Sequence, residues 1–308
     1  MKKILLSAIL FFAVQIAFAQ QMTTITYFQN DTLKLDLDLF IPEKTSPKEK
    51  LPLLLYVHGG GFSGGERESG HSLCKYLAGN SFASATITYT LYAKGKNFGC
   101  DGALPNKIKS FQYAVNDLWL ATSFFIKNAK KYNIDTEKIF VAGSSAGAET
   151  VLHGAYWDFK TMNLYTKNTL SKDFKYAGLI SGAGAIMDLN LITEKNLIPM
   201  FFFHGSGDVT VPYGTAAHHL CKTNASNWLM LFGSYSIYNH ALKMDGSVSL
   251  YTYCKGGHEY SGILFEKDQS HILAFMNDVL AGNKVQQHTA FKTGKKAPKE
   301  LPSFGFCD

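Results

Sequence analysis

The sequence predicts an α/β fold, a mostly parallel sheet flanked by helices. From residue 53 onward, short apolar runs alternate with longer stretches of helical pattern. That is the signature of repeated β-α units around a parallel sheet. The first of these runs, Leu53-Leu-Leu-Tyr-Val57, is apolar throughout, as a strand covered on both faces must be. The 308 residues are 46% apolar and 18% charged, which supports a substantial core. No internal repeat or linker divides the chain, so one domain is expected over residues 20–282.

Residues 1–19 are expected to be a signal peptide outside that domain. Lys2 and Lys3 precede an apolar run from Ile4 to Phe18, and Ala17-Phe18-Ala19 has the small-x-small form of a cleavage site. The run falls short of the ~20 residues that span a bilayer. No Cys follows the cleavage site, so no lipid anchor is expected. The chain is therefore expected to be secreted or periplasmic, without a stable membrane anchor.

Residues 24–30 and 33–41 read as two strands joined at Asn30-Asp31, residues suited to a turn. The second alternates apolar and polar side chains, as a half-exposed strand does. After the proline-bounded loop 42–52 and the buried strand 53–57, the pattern predicts a helix over 67–79 and a strand over 82–89. A long helix over 107–131 and a strand over 138–143 follow, then a helix starting near Ser145. Strands near 176–181 and 199–204, a helix near 213–222, a strand near 248–254 and a helix near 264–281 complete the set. The tail 283–308 is basic, contains Gly and Pro, and lacks an apolar period, so it is expected to be weakly ordered.

The net charge of +6 comes from 30 Lys and Arg against 24 Asp and Glu. The basic residues are scattered, whereas nucleic-acid binding requires a clustered basic face. No nucleic-acid partner is expected.

The strongest local signal is Gly143-Ser144-Ser145-Ala146-Gly147, between an apolar strand and a helical stretch. A strand–turn–helix context around G-x-S-x-G marks a nucleophile elbow. The turn is tight, and the residues two before and two after the nucleophile must be small. Gly143 and Gly147 meet that need and put Ser145 at the tip. His58-Gly59-Gly60-Gly61-Phe62 directly follows the buried strand. Three consecutive glycines cost backbone entropy, and they suit a loop whose amides approach a ligand. In acyl transfer such amides stabilise the oxyanion, which assigns oxyanion donors to Gly60, Gly61 and Ala146. The Lys-Ser/Thr ending of a phosphate-binding P-loop is missing.

Serine is a poor nucleophile without a base oriented by a carboxylate. Asp208 follows the apolar strand Met200–Phe203, and His258 follows the strand Leu250–Cys254. Nucleophile, acid and base then occur in the order Ser, Asp, His, each after a strand. Asp188 is the reserve carboxylate. His58 and His204 are expected to organise loops, while His218 and His219 fall on the predicted helix. Glu149 lies one helical turn after Ser145 and is either a buried supporting group or a partly exposed helix residue.

These motifs resemble those of the α/β-hydrolase superfamily, in particular its HGGG-type carboxylesterases and lipases. That group includes hormone-sensitive-lipase-like and polysaccharide-side-chain esterases. The resemblance spans Leu33 to His271 and includes Leu35–Pro42, Tyr132–Asp135 and Val211-Pro212-Tyr213. It implies an eight-stranded sheet, no cofactor, no metal and an acyl-serine mechanism. It carries Ser145, Asp208 and His258 over as the triad, with Gly60, Gly61 and Ala146 as oxyanion donors. The elbow reads GSSAG rather than the GDSAG of many hormone-sensitive-lipase-like enzymes, and Ala148-Glu149 stand where small residues are common.

A serine carboxylesterase acting on short or aromatic acyl groups is therefore the expected function, on a small-molecule or polysaccharide-linked ester. A serine peptidase of the same fold and a non-catalytic binding protein are the alternatives. Trp157 to Lys175 is the main insertion, too small for a large lid. Tyr89, Tyr92, Phe98, Trp157 and Tyr213 are candidate pocket walls or ordinary core residues. The five cysteines, Cys74, Cys100, Cys221, Cys254 and Cys307, leave one unpaired within the chain. Cys221–Cys254 is the expected bridge, since both should flank the catalytic end of the sheet, and Cys307 is placed to tether the tail. No CxxC or Cys/His cluster suggests a metal site.

Overall fold

The computed structural model describes residues 22–43, 49–165, 169–296 and 298–308. The expected signal peptide, residues 1–19, lies outside the described residues. Strands β1 (Met22–Gln29) and β2 (Lys34–Phe40) form an antiparallel hairpin. The Asn30 side chain closes its turn by accepting from the amides of Thr32 and Leu33. The polar face of β2 is not half-exposed throughout. Asp38 is buried, and its Oδ2 lies 2.8 Å from both Arg67 Nε and His71 Nε2.

The sheet continues with β3 (Leu51–Val57), β4 (Ala83–Ile87), β5 (Ile134–Ser144), β6 (Gly178–Gly182) and β8 (Met200–Gly205), with β7 (Ala185–Ile186) off to one side. Short strands β9 (Thr215–Ala217) and β10 (Met230–Gly233) precede β11 (Val248–Cys254) and β12 (Gln286–Lys292). The main sheet has nine strands in the order β1-β2-β4-β3-β5-β6-β8-β11-β12, parallel from β4 to β12. β7, β10 and β9 form a separate antiparallel sheet.

The helices are α1 (His71–Ala78), α2 (Leu104–Lys127), α3 (Ala129–Tyr132), α4 (Ala146–Tyr156), α5 (Phe159–Met162), α6 (Ser234–Lys243), α7 (Ile263–Glu266) and α8 (Ser270–Leu280). They cover both faces of the sheet. Along β3, Leu53, Leu55 and Val57 pack into the layer of Phe111, Leu118 and Val151, from α2 and α4. Leu54 and Tyr56 point the other way, toward Leu73, Phe265 and Ile272 from α1, α7 and α8. The alternation follows from the period of two along a strand. The all-apolar sequence of β3 is thus explained by burial on both sides.

Three expectations are corrected. The helix expected over 213–222 is strand β9 followed by a 3₁₀ turn over His218–Leu220. Here the backbone of Thr215–Ala217 pairs with β10, and His219 has φ of 58°, which ends any helix. The expected eight strands are nine, and the ninth comes from the tail expected to be weakly ordered. β12 pairs with β11 over seven residues, and Cys307 is bonded to Cys254. Its sequence Gln-Gln-His-Thr-Ala-Phe-Lys shows no apolar period because it is a mostly exposed edge strand. Backbone ladder and disulfide hold it in place of side-chain burial. Phe304 and Phe306 then pack on Tyr235, at 5.2 and 5.6 Å between ring centroids. The expected Cys221–Cys254 bridge is also absent. Cys221 is bonded to Cys100 instead, and Cys74 is free and buried.

Candidate active site

β5 ends at Ser144 and α4 begins at Ala146, leaving Ser145 alone in the turn with φ of 54° and ψ of −122°. A positive φ at a non-glycine residue is strained and is held only by its surroundings. Here the Ser145 amide donates to Gly182 O of β6, at 2.8 Å. A Cβ on Gly143 would lie 2.3 Å from Gly147 O, and one on Gly147 would lie 2.0 Å from Val57 O. Neither position admits a side chain without moving backbone, which explains both glycines of the motif.

The structure brings Ser145, His258 and Asp208 into one hydrogen-bonded chain. Ser145 Oγ is 2.7 Å from His258 Nε2, and His258 Nδ1 is 2.7 Å from Asp208 Oδ2. The carboxylate accepts at Nδ1, so that nitrogen carries the proton and Nε2 is left to accept from the serine hydroxyl. Asp208 follows β8 and is fully buried. Burial raises its pKa, but hydrogen bonds from His204 and His258 outweigh that and hold the carboxyl well below the usual range. Its Oδ1 also accepts from the amides of Thr210 and Val211, at 2.7 and 3.1 Å. The carboxylate is therefore charged and fixed in direction.

His204 does more than organise a loop. Its Nε2 lies 3.1 Å from Asp208 Oδ2 and 3.2 Å from Val211 O, both acceptors, so it donates from that nitrogen. Its Nδ1 lies 2.9 Å from Ser234 Oγ. The position of Ser234, some thirty residues downstream, gave no sequence signal of this support. The reserve carboxylate, Asp188, caps the short 3₁₀ turn over Leu189–Leu191 by accepting from Asn190 N, and takes no part in the Ser145–His258–Asp208 chain.

Gly60, Gly61 and Ala146 line one cleft with Ser145 and His258. Their amides meet no backbone or side-chain acceptor among the described residues, so they remain open to a ligand oxygen. Gly60 has φ of 112°, and a Cβ there would lie 2.2 Å from Gly64 O. His58 anchors the loop from below. Its Nδ1 is 2.7 Å from Gly59 O, and its ring stacks on Tyr89 at 4.4 Å.

The cleft encloses about 490 Å³. Of the five aromatic residues considered as walls, Phe98 lines it. Tyr89 and Tyr213 are core residues, Tyr92 stacks on Tyr113, and Trp157 lines a different cavity. Glu149, His218 and His219 also line it, and the Phe98 ring packs edge-on against His218 and His219 at 5.7 and 6.1 Å. Glu149 is 1% exposed, which overturns its reading as a partly exposed helix residue. The Cys100–Cys221 disulfide joins the Phe98 loop to the segment that carries His218 and His219. A sequence separation of 121 residues hides that link. Among the described residues no cluster of His, Cys, Asp or Glu has the arrangement of a metal site, and no helix is long and apolar enough to cross a membrane.

A family model described as BD-FAE matches residues 37–197. Among solved structures, the propionate-bound form of Est2, a thermophilic esterase from the planctomycete Thermogutta terrifontis, superposes with a TM-score of 0.63. It is 16% identical, over 85% of this chain and 94% of that one. Its butyrate-bound form gives 0.61 at 15% identity, over 85% and 94%. The same esterase phosphorylated by paraoxon gives 0.59 at 17% identity, over 84% and 91%. This likeness establishes the α/β-hydrolase fold.

Proposed function

The chain belongs to the BD-FAE family, and on that footing we propose that it is an exported serine carboxylesterase. The observation that carries the reading is the continuous chain from Ser145 Oγ through His258 to Asp208, at 2.7 Å for each link, beside open backbone amides.

In the proposed reaction, His258 Nε2 takes the Ser145 proton as Oγ attacks the ester carbonyl. The imidazolium that forms is stabilised by Asp208. The negative oxygen of the tetrahedral intermediate is received by the amides of Gly60, Gly61 and Ala146, with the N-terminal end of α4 adding favourable potential. His258 then gives the proton to the leaving alcohol, and a water molecule activated by the same histidine releases the acid from Ser145.

Short acyl groups suit a cleft of about 490 Å³ without a large lid. The propionate and butyrate held by Est2 are acids of that size. Small aromatic acyl groups, free or carried on a polysaccharide, fit the Phe98 wall. Membership of the HGGG-type subgroup rests on His58–Gly61 and the GSSAG elbow. The test is turnover of p-nitrophenyl esters from acetyl to long-chain acyl by the wild type beside Ser145→Ala. The expected result is a short-chain optimum that Ser145→Ala abolishes, and equal turnover by the two proteins would contradict it.

Export rests on Lys2, Lys3 and the apolar run up to Ala17-Phe18-Ala19. Amino-terminal sequencing of the exported protein should begin at Gln20. A retained Met1 would remove this part of the proposal.

A further inference from the structure

The stretch of wall that Phe98 shares with Glu149, His218 and His219 holds two buried ionisable side chains that the triad does not use. Glu149 and His218 are 1% and 2% exposed, yet both line the cleft. Glu149 Oε1 stands 3.3 Å from His218 Nε2 without closing a hydrogen bond. That oxygen and His218 Nδ1 are buried polar atoms with no partner in the structure. Buried polar atoms are nearly always satisfied, so these two together mark a place for a hydrogen-bonding ligand.

The wall is built to hold them there. α4 carries Glu149 one turn beyond Ser145, on the order of 6 Å along the helix axis. The His218 amide donates to Leu229 O, and the Phe98 ring meets the imidazole edge-on at 5.7 Å. Behind the pair, Lys107 is also buried, with its Nζ donating to Asn227 O at 3.0 Å. Asn227 in turn donates to Phe98 O and Gly99 O.

We propose that Glu149 and His218 bind a hydroxyl group of the substrate, a few bonds from the scissile carbonyl, and so select hydroxylated esters over plain alkyl esters. The inference rests on the esterase reading above and deepens it.

The chemistry of the pair fits a hydroxyl. Burial pushes the Glu149 carboxyl well up, against the opposing pull of Lys107, which favours its uncharged form. Burial pushes the His218 imidazole well down, so it is neutral. Together they offer a donor and an acceptor with no net charge, and a hydroxyl both donates and accepts. A carboxylate or ammonium would bring an unpaired charge into the wall. An alkyl chain would leave the polar atoms unsatisfied, and sites of this kind discriminate strongly against analogues that lack the hydroxyl.

Two pairs of esters test the proposal and locate the hydroxyl. p-Nitrophenyl 3-hydroxybutyrate against p-nitrophenyl butyrate places it on the acyl side. Glyceryl monobutyrate against propyl butyrate, followed by acid release, places it on the alcohol side. The expected result is a kcat/KM ratio of about ten or more in favour of the hydroxylated member of one pair. Glu149→Met and His218→Phe should each bring that ratio toward one, while Glu149→Gln, an uncharged donor and acceptor, should retain most of it. Turnover of all four esters without preference would overturn the proposal and leave the esterase reading standing. A preference that persists in both apolar variants would also overturn it. If neither apolar variant folds, the wild-type ratios decide. Failure to turn over any ester, with Ser145 also unreactive toward a fluorophosphonate, would remove the esterase reading and this proposal with it.

Discussion

At the scale of single residues, the site is a set of side chains whose freedom has been removed. Ser145 sits at a positive φ between two positions that admit only glycine. Asp208 accepts from two histidines and two amides, so its charge cannot turn away from His258. Replacing it by Asn should keep the hydrogen-bonding shape but favour the wrong imidazole tautomer, lowering kcat about 10⁴-fold in a steady-state ester assay. The same substitution makes a statement about pH. The folded carboxyl titrates below its unfolded range, so its contribution to stability is present above about pH 4 and lost as pH falls further. The stability gap between wild type and Asp208→Asn, measured by urea unfolding, should therefore narrow on acidification through that point. A gap independent of pH would contradict the role given to the charge.

The positions of Ser145, Asp208 and His258 were legible in the sequence because each follows a strand and carries a local glycine-rich signature. Glu149 and His218 were not legible in the same way. They lie far apart in the chain, and nothing in either neighbourhood indicates that the fold brings them to one wall. His204 was expected to serve a loop, whereas it also donates to the carboxylate it precedes by four residues.

At the scale of elements, the β-α alternation was readable wherever burial on both faces made a strand continuously apolar, as in β3. The reading failed where pairing rather than side-chain character defines the element. β9, β10 and β12 are short or exposed strands that only their backbone pairing defines. The β12 segment and Cys307 have a mechanical consequence for the site, because Cys254 ends the strand that leads into His258. The Cys254–Cys307 bridge closes a loop of sequence separation 53, for which chain-entropy arguments give about 4 kcal/mol of stabilisation. Cys254→Ser with Cys307→Ser should lower the unfolding free energy by up to about that amount, read by denaturant titration. Unchanged stability would mean that β12 and the aromatic packing of Phe304 and Phe306 hold the tail alone.

At the scale of the molecule, a nine-stranded sheet covered on both faces delivers three strand ends and one glycine loop to a single cleft. Hydrophobic burial builds the scaffold, and the polar groups are confined to the strand ends where it stops. The arrangement accounts for the division between what composition fixes and what local motifs fix. Composition and periodicity set the class of fold, while a few glycines, one serine, one histidine and one aspartate carry the proposed chemistry. The wall that carries Phe98, Glu149 and His218 is assembled from long-range contacts.

Covalent labelling of the purified protein with a fluorophosphonate, followed by peptide mapping by mass spectrometry, tests the assignment of Ser145 most directly. One stoichiometric adduct is expected, on Ser145, accompanied by loss of esterase activity and absent from Ser145→Ala. Full ester turnover by a protein with Ser145 unlabelled, or an inactivating adduct on another residue, would contradict it.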